Sequence, residues 1–260
     1  MNILNEIIEF KHSEIKERAK ITPLERIKDS QRLYSVRDFI GALKSDRIQI
    51  IAEIKRRSPT AGDINILADP GKTAKSFANN GAACISVLTD QHYFGGQLEF
   101  IQHVKAVVEL PILRKYFIIS EYQVWESFHA GADAILLIAD AIEASMIKDL
   151  YQLAVELGLH VLIETHDFDH LKWISDLNPE MIGVNCRDLA NMETNIKWFG
   201  DIAIDLPQNS IWVAESGINR HSDLEYISTL GFHAALIGSH LMKSEDPGGA
   251  LAELFKRVPV

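Results

Sequence analysis

Cysteine is scarce in this sequence: two among 260 residues, Cys84 and Cys186. Both fall in apolar, strand-like runs, and their number and spacing fit neither a disulfide framework nor a zinc site. Reduced thiols are expected. Long apolar runs are missing as well, since no stretch approaches the roughly 20 residues that cross a bilayer. The first residues, MNILNEIIEFKHSEIK, are charged and amphipathic. A secretory leader would instead have a basic start, an apolar middle and a small-residue cleavage site, so a cytoplasmic protein is expected. Positive charge is in deficit, with 26 Lys and Arg against 36 Asp and Glu, a formal net charge of -10. Such a chain repels nucleic acid and anionic membranes, and any anionic partner must be met by a local cluster of basic residues. No linker, low-complexity tract or compositional break divides the chain.

What is present is a repeated alternation. Short runs rich in β-branched and other apolar residues recur at 48–55, 83–89, 111–117, 133–139, 160–166, 181–186, 210–216 and 234–239. Segments of helical periodicity, such as EFIQHVKAVVEL and AIEASMIKDLYQLAVELG, separate them, so parallel βα units are expected. Gly81, Gly131 and Gly231 each close a helix just before the next strand. Ser120 with Gln123 has the spacing of a capping box at the start of another. Eight such units after a helical lead fit an α/β fold of the (β/α)8 barrel type, read as one domain over 1–260 with an N-terminal helical extension at 1–47 and the barrel at 48–260. The rival is an open doubly wound sheet, which normally uses fewer strands, and a GxGxxG turn is missing after the first strand.

The first strand raises a chemical question, because IIAEIKRRSP ends an apolar run with opposite charges. Strand alternation puts Ile51, Glu53 and Lys55 on one face and Ile50, Ala52 and Ile54 on the other. If the second set packs on helices, the charges point into the barrel near its mouth. Other strands make the same choice at the same end: Lys115 follows Leu113, Glu164 follows Leu162, Asn185 follows Gly183 and Glu215 follows Val213. Three carboxylates and two ammonium groups converging there imply either a structural ion network or an acid/base site. The last two strands run into Ser216-Gly217 and Gly238-Ser239, in the loops where this architecture commonly binds phosphate. Arg187 adds positive charge nearby, while Arg56 and Arg57 read as a solvated loop. His166 and His170, four apart, make only a weak case for a metal. From residues alone, the chemistry is proton transfer on a small phosphorylated substrate, without metal or nucleotide cofactor. A Schiff base on a mouth lysine is the mechanistic rival.

The stretches IIAEIKRRSP, SVLTDQHYFGGQLEF, PILRKYFII, GADAILLI, VLIETH, GVNCRDL, VAESGI and LIGSHLM, in this order and spacing, resemble the indole-3-glycerol phosphate synthase family, and ILNEIIEFKHSEIKER resembles its leading helix. The resemblance covers nearly the whole chain. It implies a carboxy-lyase of tryptophan biosynthesis acting on 1-(2-carboxyphenylamino)-1-deoxyribulose 5-phosphate. By motif, Glu53, Lys55, Lys115, Glu164, Asn185 and Glu215 become catalytic residues. Ser58, Phe94, Phe117, Leu136, Arg187 and Ser216 become substrate-binding, and Ser216, Gly217, Gly238 and Ser239 hold the phosphate. Lys115 would be the acid of ring closure, Lys55 and Glu164 the acid and base of dehydration, and Glu53 and Glu215 would tune the lysines. No cofactor or metal is implied. The partner is a phosphorylated small molecule rather than nucleic acid or membrane, and the chain is expected to be a monomer or weak homodimer. Two positions depart from the family pattern. Tyr116 stands where Lys-Asp-Phe is usual, which should lower the pKa of Lys115 by removing a negative neighbour. Cys186 replaces a common Asn or Ser. They keep open a degenerate barrel that binds ligands without turning them over.

Overall fold

A computed structural model describes residues 3–188 and 193–256 of the chain. Its eight barrel strands are β1 (Gln49–Ile54), β2 (Cys84–Leu88), β3 (Ile112–Lys115), β4 (Ala134–Ile138), β5 (His160–Thr165), β6 (Met181–Asn185), β7 (Ile211–Glu215) and β8 (Ala234–Ile237). All pair in parallel with their sequence neighbours, and β1 pairs with β8 from Gln49 opposite Ala234 to Ala52 opposite Ile237, closing the barrel. The strands fall inside the ranges expected from sequence and are shorter by one to three residues, because hydrogen bonding stops where the chain turns outward into the mouth loops. A two-residue hairpin, Arg57–Ser58 with Gly62–Asp63, follows β1.

Alternation along the strands divides the core in two. Ile50, Ala52 and Ile54 join Phe77, Ile85, Ile135 and Ile163 in the layer between strands and helices. Ile51 joins Leu113, Leu162, Val213 and Leu236 inside the barrel. The outer layer is covered by α4 (Pro70–Asn79), α5 (Phe100–Lys105), α6 (Glu121–Ala130), α7 (Ala144–Glu156), α8 (Phe168–Asp176), α9 (Trp198–Ile202), α10 (His221–Thr229), α11 (Ser239–Met242) and α12 (Pro247–Phe255). Gly131 ends α6 at φ 98°, a left-handed conformation that costs glycine little. At the start of α6 the Gln123 side chain accepts from the backbone N–H of Ser120 at 3.2 Å, the capping contact expected from their spacing. Cys84 and Cys186 are buried, free thiols.

Three helices precede the barrel: α1 (Ile3–Ile21), α2 (Leu24–Lys28) and α3 (Phe39–Leu43). Phe39, Ile40 and Leu43 of α3 belong to the interior cluster and plug the N-terminal end of the barrel. The segment before α3 is clamped by arginines. Arg32 donates to the carbonyls of Phe128 and Ala132, Arg37 to those of Val108 and Leu110, and the Arg37 N–H to Asp133. Helix α1 lies at the other end, over the mouth, with Leu4, Ile7 and Lys11 buried. No helix among the described residues is long and apolar enough to cross a membrane.

Candidate active site

The C-terminal ends of the strands open into a cavity of about 580 Å³. Every residue expected to be catalytic, substrate-binding or phosphate-binding lines it: Glu53 in β1 with Lys55 and Ser58 after it, Phe94 after β2, Lys115 ending β3 with Phe117 beyond, Leu136 in β4, Glu164 in β5, Asn185 ending β6 with Arg187 beyond, Glu215 ending β7 with Ser216 and Gly217 beyond, and Gly238 and Ser239 after β8. Arg56 and Arg57 lie outside it. Arg56 stacks over the Phe100 ring and Arg57 pairs with Asp63 at 2.6 Å across the hairpin. Among the described residues His166 and His170 belong to no cluster of three or more metal-ligating side chains. His166 Nδ1 contacts the Asn185 carbonyl at 2.7 Å, and His170 faces Asp140 at 3.7 Å.

Two ion-paired groups share the mouth. Lys55 Nζ lies 2.8 Å from Glu53 Oε1. Lys115 Nζ lies 2.7 Å from Glu164 Oε2 and makes a second, shorter bond to Glu215 Oε2. Asn185 donates to the other oxygen of Glu164 at 2.9 Å, whereas Glu215 Oε1 is buried with no hydrogen-bond partner. This asymmetry decides which carboxylate is ionised. Burial opposes the charge on Glu164, but Lys115 and the Asn185 amide reverse that and hold it below the usual carboxylate range. Burial and repulsion from Glu164 push Glu215 up to about 8. Near neutral pH the two coupled carboxyls share one proton. Burial also opposes the charge on Lys115, yet Glu164, Glu215 and Glu53 more than offset it and raise its pKa above that of an ordinary lysine. Three glutamates surround the ammonium group, so it is held charged with Tyr116 as its neighbour in the chain.

Two glycines make room for these acids. A Cβ on Gly183 would stand 2.2 Å from Glu215 Oε1, and one on Gly238 2.2 Å from Glu53 Oε1. Gly238 thus has a spatial role besides its place in the mouth loop. Ser216 and Gly217 both have positive φ, 70° and 72°, so the β7 loop holds a side-chain-bearing residue in strained backbone at the site. Cys186 Sγ packs behind this turn and donates to the Ser216 carbonyl at 3.4 Å. Burial pushes its thiol up to about 12, which keeps it protonated and inert. Arg187 donates from its backbone to Asn185 Oδ1 at 3.0 Å, and its side chain reaches Thr60 at 3.4 Å.

Sequence reasoning missed some of the lining. Leu4 and Ile7 bring α1 into the wall, and Lys243 adds a cation beside the β8 loop. The apolar residues of α1 at helical spacing were a signal of burial, but not of what they cover. Tyr116 points to the helix layer, as alternation predicts, and its hydroxyl donates to Glu14 of α1 at 2.7 Å.

The family described as indole-3-glycerol phosphate synthase matches residues 4–254. Indole-3-glycerol phosphate synthase of Burkholderia vietnamiensis is 37% identical over 258 residues, 98% of this chain and 99% of that protein. Its counterpart in Burkholderia ambifaria is 38% identical over the same shares. Among solved structures, a thiamine phosphate pyrophosphorylase from Pyrococcus furiosus superposes with a TM-score of 0.58 at 12% identity, over 84% of this chain and 96% of that one. At that identity the likeness is one of fold.

Proposed function

The chain belongs to the indole-3-glycerol phosphate synthase family, and from that premise we propose how the mouth of its barrel divides the work of the reaction. The reaction converts 1-(2-carboxyphenylamino)-1-deoxyribulose 5-phosphate into indole-3-glycerol phosphate with release of carbon dioxide and water. The ring carbon that bears the carboxylate attacks the sugar carbonyl, decarboxylation returns the electrons to the ring, and loss of the new hydroxyl as water completes the indole.

Lys115 is the acid of ring closure. Its raised pKa keeps it charged when substrate arrives, and the alkoxide forming on the carbonyl oxygen is basic enough to take a proton even from so firmly held an ammonium. Glu164, the ionised member of its pair, is the base of the dehydration, and Lys55 the acid that releases hydroxide. Glu53 orients Lys55, and Glu215 carries the proton that spares Lys115 a second negative charge. Ser216, Gly217, Gly238 and Ser239 hold the phosphate, with Arg187 and Ser58 at the polar rim. Phe94, Phe117 and Leu136 enclose the aromatic ring. The observation that carries this reading is the single lysine bridging two buried glutamates of opposite protonation preference. Both mouth lysines are ion-paired, which disfavours the free amine that a Schiff base requires. The reading also takes 1–260 as one domain of a cytoplasmic protein, monomeric or weakly dimeric, that meets a phosphorylated small molecule rather than nucleic acid or membrane.

Indole fluorescence after mixing protein with substrate tests the assignment. Lys115→Ala and Glu164→Gln should each lower kcat by about 10²- to 10⁴-fold, the usual worth of a positioned acid or base. Full activity in either variant, or borohydride trapping of a lysine adduct with substrate, overturns it.

A further inference from the structure

Lys11 is a lysine of a surface helix, yet its side chain is fully buried. Its Nζ lies 2.5 Å from Asp90 Oδ2 and 2.6 Å from Glu14 Oε2, and it donates to the Tyr116 hydroxyl at 3.1 Å. The same ammonium sits over the Tyr116 ring, 4.6 Å from its centroid. A lysine stem buries readily, but taking its ammonium group out of water is costly, and a surface helix has no need of that merely to dock.

The partners connect to the cavity by two routes. Asp90 begins the loop after β2, and its other oxygen accepts from the backbone N–H groups of Tyr93 at 2.6 Å and Phe94 at 3.2 Å. That turn delivers the Phe94 ring to the cavity, where it meets Phe117 with centroids 5.9 Å apart. Tyr116 is the residue between Lys115 and Phe117, so fixing its ring fixes the end of β3. Around this centre α1 makes further contacts with the same loop. Phe10 stacks on His92 with centroids 4.6 Å apart, and Tyr93 donates to Glu6 at 3.3 Å. One and two turns before Lys11 on the same helix, Ile7 and Leu4 complete the cavity wall.

We propose that Lys11 is a positioning residue for substrate: one buried ammonium fastens helix α1 to the β2 loop through Asp90 and to β3 through Tyr116, so that Leu4 and Ile7 close over the substrate ring against Phe94 and Phe117. The tyrosine that replaces the usual acid beside Lys115 then has a part of its own, since its hydroxyl accepts from Lys11 and donates to Glu14. The proposal rests on the synthase reading for the identity of the ring, but the fastening itself does not.

Lys11→Met keeps the length and removes the charge, and Tyr116→Phe removes only the hydroxyl. Lys20→Met, which breaks an exposed pair with Glu17 on the same helix, is the control. Two readouts separate the fastening from the reaction. Hydrogen exchange of the amides from 4 to 16 should quicken at least tenfold in Lys11→Met, less in Tyr116→Phe and not in Lys20→Met, with barrel strands unchanged. Steady-state kinetics well below the melting temperature should show KM raised at least tenfold in Lys11→Met with kcat falling less than KM rises. Unchanged exchange in α1 overturns the fastening. Quickened exchange with KM unaltered overturns the role in substrate binding and leaves Lys11 a stabilising residue only. Wild-type protein without turnover would instead count against the synthase reading, and the exchange result would still decide the fastening.

Discussion

Lys105 and Lys115 are both buried ammonium groups set against carboxylates, one near each end of the barrel, and they differ in what their partners have left to give. At the lower end Asp133 accepts from Lys105, from the backbone N–H of Ile112 at 2.8 Å and from that of Arg37 at 2.7 Å. Its capacity is taken up by the chain itself. Burial, helped by repulsion from Arg37 and Arg32, outweighs the attraction of Asp133, and the Lys105 pKa falls to about 8. At the mouth Lys115 meets two glutamates that no backbone N–H is seen to satisfy. One oxygen of Glu215 has no partner, and a cavity lies alongside. A buried pair saturated by backbone is architecture; a pair with bonding capacity left over beside an open space is equipped for chemistry.

Substitution at the lower end gives the largest expected change in stability. Asp133→Asn leaves a lysine and two backbone donors facing an amide, and should cost about 3–5 kcal/mol, as does breaking other buried pairs. Urea unfolding measures it, and kcat/KM at 25 °C should stay within about threefold. A stable Asp133→Asn protein that has lost its turnover would erase the distinction between the two ends. A smaller effect is expected from Gly183→Ala, whose methyl group would collide with Glu215 Oε1 and push that carboxyl off Lys115. A displacement of this kind should lower kcat by about 10- to 100-fold while stability changes less than in Asp133→Asn.

The smallest effect sharpens the comparison through pH. Glu215 has a folded-state pKa of about 8, above its unfolded value, so its contribution to stability is fully present below about 4.5 and is lost as pH rises through 8. Glu215→Gln removes this loss. The variant should melt higher than wild type at pH 9 and gain less at pH 5, by about 2–4 °C for each kcal/mol relieved. Calorimetry at the two pH values checks it, and an equal shift at both would mean that Glu215 is ionised throughout.

Much of this was legible in the residues. The strands announced themselves by β-branched runs, and polar residues placed last on five of them marked the mouth, because alternation is local and barrel geometry turns it into direction. The lower pair was not legible. Lys105 lies in an ordinary amphipathic helix and Asp133 in a helix-to-strand turn, and only the folded chain brings a helix end against the start of β4. Gly183 was equally silent, since its value is the space it leaves for a side chain on the neighbouring strand. The role of α1 was half visible: Leu4, Ile7 and Lys11 share its buried face, but nothing in a helical pattern names the loop it will cover.

The closure of β1 on β8 has a consequence during synthesis. β1 is made first and its partner emerges about 180 residues later, so at roughly 5–20 residues per second one edge of it waits about ten seconds or longer without a neighbour. An apolar strand with a free edge invites pairing with other chains, and inward-pointing charges are among the devices that discourage it. Glu53 and Lys55 are such charges. They stand on the nascent chain before there is a mouth for them to line.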